Sequence, residues 1–135
     1  MQIEIFSLCD AATTDGGKLN MLGVFDTIWT KKIPVVHPQC AVAMRIRFFS
    51  SEGNKHEVSV KFIDMDGKHI IRPVGGTVRI NHPKEQRSTS VNLIFNIQGL
   101  KIERYGEYSI DLAVSGRTVS SLPLFVKEDK PKEKS

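Results

Sequence analysis

The stretch from Cys40 to Phe49, which reads CAVAMRIRFF, decides the fold class. Its side chains alternate between two faces. One face would carry Cys40, Val42, Met44, Ile46 and Phe48, and the other Ala41, Ala43, Arg45, Arg47 and Phe49. A period of two is typical of a β-strand. The stretch therefore predicts a strand that buries its uniformly apolar face.

The same period recurs downstream, in apolar runs separated by turn residues. The runs lie at residues 58–62, 68–72, 91–97, 108–114 and 119–126. Asp66-Gly67 and Ser115-Gly116 fit tight turns, which favour residues that tolerate a positive φ. Gly75-Gly76 is interpreted as a turn, and Gly99 is expected to end the strand before it.

The region before Cys40 has a less regular pattern. Ile3–Ala11 and Leu19–Trp29 are predicted as strands, joined by a turn over Thr13–Gly17. Because apolar residues fall on both sides of Leu19–Trp29, we expect a long central strand that bends at Gly23, or one covered on both faces.

The last run has a break in its alternation. The step from Val119 to Leu122 changes parity, which predicts a β-bulge or an edge position at Pro123.

Together these patterns predict an all-β domain. No segment keeps helical spacing over ten residues. Seven to eight strands with turn signals between them favour an immunoglobulin-like antiparallel β-sandwich, and a small β-barrel is the alternative. A length of 135 residues argues for one domain. We assign residues 1–126 to the sandwich and residues 127–135, which are charged and contain Pro131, to a disordered tail.

Charge and cysteine content restrict the function classes. The formal charge is +4, from 19 basic and 15 acidic residues, and it is too diffuse to argue for nucleic-acid binding by itself. The first residues lack the basic segment and long apolar run of a signal peptide. We therefore expect a cytoplasmic protein in which Cys9 and Cys40 are free thiols.

Several short segments resemble an uncharacterised bacterial family of small cytoplasmic proteins. They are MQIEIFSLCDAA at residues 1–12, GKLN at 17–20, GVFD at 23–26, HPQC at 37–40 and GEYSI at 106–110. The resemblance covers about residues 1 to 126 and implies a single domain. It supplies no catalytic residue.

Gly106-Glu107-Tyr108 also resembles the start of a late strand in immunoglobulin-like sandwiches. The resemblance implies that the Tyr108 hydroxyl bonds back to nearby backbone.

Two groups of residues have the chemistry of metal ligands. Asp64, Asp66 and His69 flank one predicted turn and could bind a divalent ion, or Asp66 could simply serve the turn. His37 and Cys40 form a second pair, although a zinc site needs further ligands. We expect neither to bind metal. The sequence predicts no catalytic residue and no cofactor, and a small metal-dependent enzyme is kept as an alternative.

A third group has the chemistry of a nucleic-acid surface. Arg45 and Arg47 share one face of a predicted strand, and Lys61 is a candidate neighbour. Such a face can bind single strands. It can equally be a solvated sheet face on which Glu57 or Glu107 pairs with the arginines. Nucleic-acid binding is therefore a second alternative.

Five apolar residues fall on faces that otherwise carry polar side chains. They are Phe49, Ile63, Ile94, Phe125 and Trp29. If they gather on neighbouring strands, they form a patch for a second protein chain, unless loops or the first strand cover them. The leading hypothesis is a non-catalytic protein-binding or assembly module that acts through a sheet face and self-associates.

Overall fold

Two packed β-sheets make up the fold in the computed structural model, which describes residues 1–130. The strands are β1 (Gln2–Asp15), β2 (Lys18–Val24), β3 (Thr27–Thr30), β4 (Val35–Phe49), β5 (Lys55–Ile63), β6 (Val74–Arg79), β7 (Ser88–Ile102), β8 (Gly106–Val114) and β9 (Arg117–Glu128). Sheet I has the order β2-β1-β4-β7, and sheet II has the order β3-β9-β8-β5-β6. The predicted β-sandwich is confirmed, with nine strands where seven to eight were expected.

Helical structure is confined, in the part of the chain that the structure describes, to one 3-10 turn at Ser50–Glu52. No helix among these residues has the length and apolar character needed to cross a membrane.

The core lies between the two sheets. The strand β4 of sheet I supplies five of its buried side chains. The alternation predicted for this strand is confirmed, because Cys40, Val42, Met44, Ile46 and Phe48 are all buried. The matching residues of sheet II come from β5, β8 and β9: Val58, Val60, Phe62, Tyr108, Ile110, Leu112, Leu124 and Val126. Burying one large apolar side chain stabilises a fold by about 1.5–3 kcal/mol, so this double layer accounts for the sandwich.

The prediction of one strand over Leu19–Trp29 is wrong. This segment forms two edge strands, which belong to different sheets. Gly23 has a φ of 69°, and the chain crosses between the sheets just after it. At the crossing, the Phe25 N–H donates to the Leu8 carbonyl at 3.0 Å, and the Phe125 N–H donates to the Asp26 carbonyl at 2.7 Å. The strand β3 then runs parallel to β9, so one pair departs from the antiparallel pattern.

Residues 68–72 do not form the predicted return strand. They make only an isolated bridge between Ile63 and His69, and the partner of β5 is β6, which begins after Pro73. Gly75-Gly76 therefore lies inside a strand. A Cβ at Gly75 would lie 2.8 Å from the Val58 carbonyl oxygen, so the close approach of β5 explains this glycine.

The strand β7 does not end at Gly99 but continues to Ile102. The register of β4 and β7 places Gly99, with a φ of 67°, opposite Pro38. Because proline has no N–H to donate, the ladder is distorted at this point without being broken.

The features predicted near the C-terminus are largely confirmed. Ser115 and Gly116 form the tight turn, with φ angles of 52° and 80°. The register of β8 and β9 shifts beyond Leu112, so Val119 is the extra residue of a bulge. Pro123 lies where β9 has no neighbour on its β3 side.

The sandwich extends two residues past the expected boundary. Pairing with β3 holds Lys127 and Glu128 in β9. After them, the Asp129 N–H still donates to the Thr30 carbonyl at 2.9 Å, and residues 131–135 of the expected tail lie outside the described residues.

Candidate interaction surface

Trp29 and Phe125 lie side by side on the outer face of sheet II. In the β3–β9 pair, Thr27 is opposite Phe125 and Trp29 is opposite Lys127. The Lys127 ammonium lies 5.5 Å from the centre of each aromatic ring, within the range of a cation–π interaction. These two predicted surface residues therefore form one cluster.

The other three predicted residues are distributed over both sheets. Ile63 shares the outer face of sheet II with Phe125, since it is opposite Ser109 in β8. Phe49 and Ile94 lie on the outer face of sheet I, at separate positions along β4 and β7. The five residues are therefore not one patch.

Ile94 is covered within the chain. It packs, together with Ala12 and Leu19, against a small buried cluster of Cys9, Ala41 and Ala43. The hairpin formed by β1 and β2 folds over this face, and its tip is held where Asn92 Nδ2 donates to the Gly17 carbonyl at 3.1 Å. Covering by the first strand was the alternative to an exposed patch, and this hairpin provides that cover for Ile94.

The largest exposed apolar side chains near Trp29 were not among the predicted surface residues. Leu22 is 72% exposed, and Val24 and Trp29 are each 60% exposed. Leu22 and Val24 lie two residues apart in β2. Val24 and Trp29 line one shallow depression of about 500 Å³. We call Leu22, Val24 and Trp29 the edge patch, because β2 and β3 are the edge strands of the two sheets on this side.

A narrower cleft opens beside the edge patch, where β2 has ended and β3 has not begun. It has a volume of about 380 Å³, and its lining includes Phe6, Leu8, Phe25, Leu122 and Pro123. Asp26 also lines the cleft, and the Thr27 hydroxyl donates to its Oδ1 atom at 2.7 Å. The cleft therefore extends the apolar character of the edge patch inward, between the sheets.

The proposed nucleic-acid group is not brought together. Arg45 and Arg47 lie on one face as predicted, but both donate to the Glu4 carboxylate, at 3.1 and 3.2 Å. Arg45 also donates to Asn92 and Arg47 to Ser88. Lys61 lies on the other sheet, opposite Asp111. The partner of the two arginines is thus Glu4, rather than Glu57 or Glu107.

The two carboxylates of the first proposed metal group already make hydrogen bonds and ion pairs within the chain. The backbone N–H groups of Asp66 and Lys68 each donate to Asp64 Oδ1 at 2.9 Å. Arg104 Nη2 lies 2.9 Å from Asp66 Oδ2 and 3.4 Å from Asp64 Oδ2. The pKa of Asp64 is lowered most by the hydrogen bond from the Lys68 N–H. The hydrogen bond from the Asp66 N–H and the positive charge of Arg104 lower it further. These contacts fit a turn closed by Asp64 and tied to Arg104.

The second proposed metal pair is separated. Cys40 belongs to the core between the sheets, whereas the His37 ring packs against Phe25 with 5.7 Å between ring centres. Within residues 1–130, no group of three His, Cys, Asp or Glu side chains is placed to hold a metal ion.

Both cysteines are free and buried, and they belong to different clusters. Cys9 lies in the cluster beneath the hairpin and Cys40 in the main core. Burial is the main cause that raises the pKa of Cys40 to about 11, and it also raises the pKa of Cys9. Because the thiolate is the nucleophilic form, this environment opposes a catalytic role.

The Tyr108 hydroxyl makes the backbone contact that its resemblance implied. It donates to the Arg104 carbonyl at 2.7 Å, and the ring is 3% exposed. Tyr108 therefore anchors the loop before β8 rather than contributing to a binding surface.

Comparison with known proteins gives a family but no activity. No curated protein matches the chain. Residues 4–127 match a family of unknown function (DUF6941). Since this match spans nearly the whole sandwich, the chain belongs to that family.

Proposed function

We propose that this domain is a non-catalytic protein-binding and assembly module that self-associates through the edge patch. The observation that carries the proposal is the exposure of Leu22, Val24 and Trp29 on the edge strands of the two sheets, with Val24 and Trp29 lining one depression. Exposed apolar side chains that adjoin one another are typical of interaction sites. Tryptophan in particular is enriched among residues that dominate binding energy.

The surroundings of the edge patch support a contact with protein. The patch combines a flat apolar strand face with the cleft lined by Phe25 and Leu122. Charged groups accompany this apolar surface, since the Lys127 ammonium lies over the Trp29 ring and Asp26 lines the cleft. An apolar centre with a polar rim is the usual anatomy of a protein interface.

Three finer assignments belong to the same proposal. The sandwich is immunoglobulin-like, which the Tyr108 hydrogen bond supports. The protein is bacterial, as the sequence resemblance implies. It acts in the cytoplasm, which agrees with two free cysteines.

Trp29 offers a direct test, because it is the one tryptophan of the chain. Self-association through the edge patch removes its indole from water, so its emission shifts to shorter wavelength as protein concentration rises. In the Leu22→Ser variant, we expect the dissociation constant from this titration to rise about tenfold, as for an important interface residue.

The matched control is Phe49→Ser, which removes an exposed aromatic side chain of β4 that lies outside the edge patch. It should leave the titration unchanged. An emission maximum that does not depend on protein concentration would contradict self-association through the edge patch, whatever assemblies light scattering detects. So would equal effects of the two substitutions.

A further inference from the structure

The strand β7 is an edge strand of unusual length. It has 15 residues and, among residues 1–130, pairs with β4 alone, so within this part of the chain one side of its backbone has no strand neighbour. The bonds at its start show which residues face outward. The Ser50 N–H donates to the Arg87 carbonyl at 2.8 Å, which continues the β4 ladder. The next carbonyl, that of Ser88, points away from β4 and accepts from Gln86 Nε2 at 2.7 Å.

This alternation fixes the orientation of the backbone along the strand. In an antiparallel pair, every second residue directs both its N–H and its C=O to the neighbour. Odd-numbered residues such as Leu93 and Phe95 therefore bond to β4. Ser90, Asn92, Ile94, Asn96 and Gln98 direct their N–H and C=O groups outward.

The other edges carry features that oppose pairing with another chain. The strand β3 has 4 residues and β6 has 6, with Arg79 at its end. The strand β2 has 7 residues and begins with Lys18. The open part of β1 contains a register shift at Glu4, and the open part of β9 contains Pro123. Short length, charge, proline and bulges are the usual means of protecting an edge.

The strand β7 has none of these features over most of its length. From Ser88 to Leu100 it contains no charged residue and no proline, and it keeps one register with β4, with the distortion at Gly99 confined to its last two residues. This run spans about 40 Å at about 3.3 Å per residue. A long, regular and uncharged edge is a template for strand pairing.

We propose that β7 pairs with β7 of a second copy of this chain, antiparallel and about a two-fold axis. A two-fold contact sets a surface against itself, and like charges facing each other would oppose it. The uncharged run from Ser88 to Leu100 meets this condition. Sheet I then continues across the axis as one sheet of eight strands.

The side chains of β7 fit the same partner. Antiparallel pairing about a two-fold axis sets each face of the strand against the same face of the copy. Val91, Leu93 and Phe95 are only partly buried at the margin of the core. Their remaining apolar surface would be covered by the same row in the partner, while the polar face of Ser90, Asn96 and Gln98 meets polar side chains.

This contact is separate from the edge patch, because β2 and β7 are the opposite edges of sheet I. It adds a second contact between copies to the proposed function. It also stands if the edge patch proves inert.

The test uses Asn96→Pro in the full chain, with Asn96→Ala as the matched control. Asn96 is exposed, and its N–H points outward, so proline removes a bond to the copy and leaves the β4 ladder intact. Proline is tolerated at such edge positions. All variants carry Leu22→Ser, which weakens the edge-patch contact, so light scattering at increasing concentration should show β7 dimers for the Leu22→Ser parent and for Asn96→Ala. The dissociation constant of Asn96→Pro should be about thirtyfold higher, since each dimer loses two hydrogen bonds.

Amide hydrogen exchange in the Leu22→Ser protein, where β7 is the remaining contact, keeps the test decisive even if Asn96→Pro fails to fold. The amides of Leu93 and Phe95 should be protected at every concentration, because they bond to β4. Those of Asn92, Ile94 and Asn96 should gain protection only where light scattering detects dimers. Outward amides that exchange freely in the dimer would overturn the proposal, as would a dimer of unchanged affinity in a folded Asn96→Pro variant.

Discussion

At the scale of single residues, the thiol of Cys40 links burial to pH. Burial raises its pKa from 9.0 to about 11 in the folded protein. Between these values the unfolded chain has released the proton and the folded chain has kept it. The unfolded state then binds fewer protons, so the free energy of unfolding falls as pH rises. A difference of about two pKa units between the unfolded and folded states limits the loss in the free energy of unfolding to about 3 kcal/mol.

We therefore predict that the Cys40→Val variant loses less stability than the wild type between about pH 9 and pH 11. Urea denaturation at several pH values measures the difference. Cys9, whose pKa is also raised, is present in both proteins, and so are all the lysines. Parallel losses in the two proteins would show that Cys40 is not responsible.

At the scale of elements, the β1–β2 hairpin acts as a cover for the outer face of sheet I. Beneath it Cys9 is fully buried, and the Asn92–Gly17 hydrogen bond holds the tip in place. We predict that Asn92→Ala, made in a Cys40→Val background, lets the hairpin open more often. A thiol reagent should then label Cys9 several times faster, as expected when local opening limits access.

Asn96→Ala in the same background is the control, because it truncates an asparagine of β7 outside this contact. The rate of Cys9 labelling, followed by mass spectrometry, should match the parent for this variant. Equal labelling in the Asn92→Ala protein would mean that the Gly17 contact does not restrain the hairpin.

The strands themselves show what sequence patterns can and cannot predict. The alternation in β4 predicts its buried face correctly, because a one-residue shift would expose the whole apolar set. The two strands within Leu19–Trp29 are harder to predict. Apolar residues on both sides of a strand indicate either burial on two faces or an exposed binding edge, and only the position in the sheet distinguishes them. For the same reason, the sequence pattern does not identify Leu22 and Val24 as exposed surface residues, although it does identify Trp29.

Local sequence patterns also do not show which distant strands pair with each other. The Glu4 contact with Arg45 and Arg47 joins residues 41 and 43 positions apart, and no local pattern predicts it. The same is true of the hairpin that covers Ile94. Local spacing predicts which face a residue occupies, and the sheet order decides what covers that face.

At the scale of the whole molecule, two contacts on opposite edges of sheet I have a joint consequence. If the edge patch and β7 both bind further copies, wild-type assemblies grow beyond dimers at high concentration. We predict that Leu22→Ser and Asn96→Pro each leave dimers, and that the double variant is a monomer, since distant substitutions act independently. Light scattering after size-exclusion chromatography measures the three masses. A monomer in either single variant would show that the contact remaining in that variant does not hold two copies together.

The parallel pair of β3 and β9 also governs how the chain acquires its structure. It joins Thr27 to Phe125, so the ribosome must synthesise most of the polypeptide before β3 has its partner. Contacts so far apart in sequence carry a high entropic cost of loop closure and slow the folding reaction. A nascent chain that has not yet reached Phe125 therefore leaves Ile28 without its place in the core, and completion of sheet II is a late event in biogenesis.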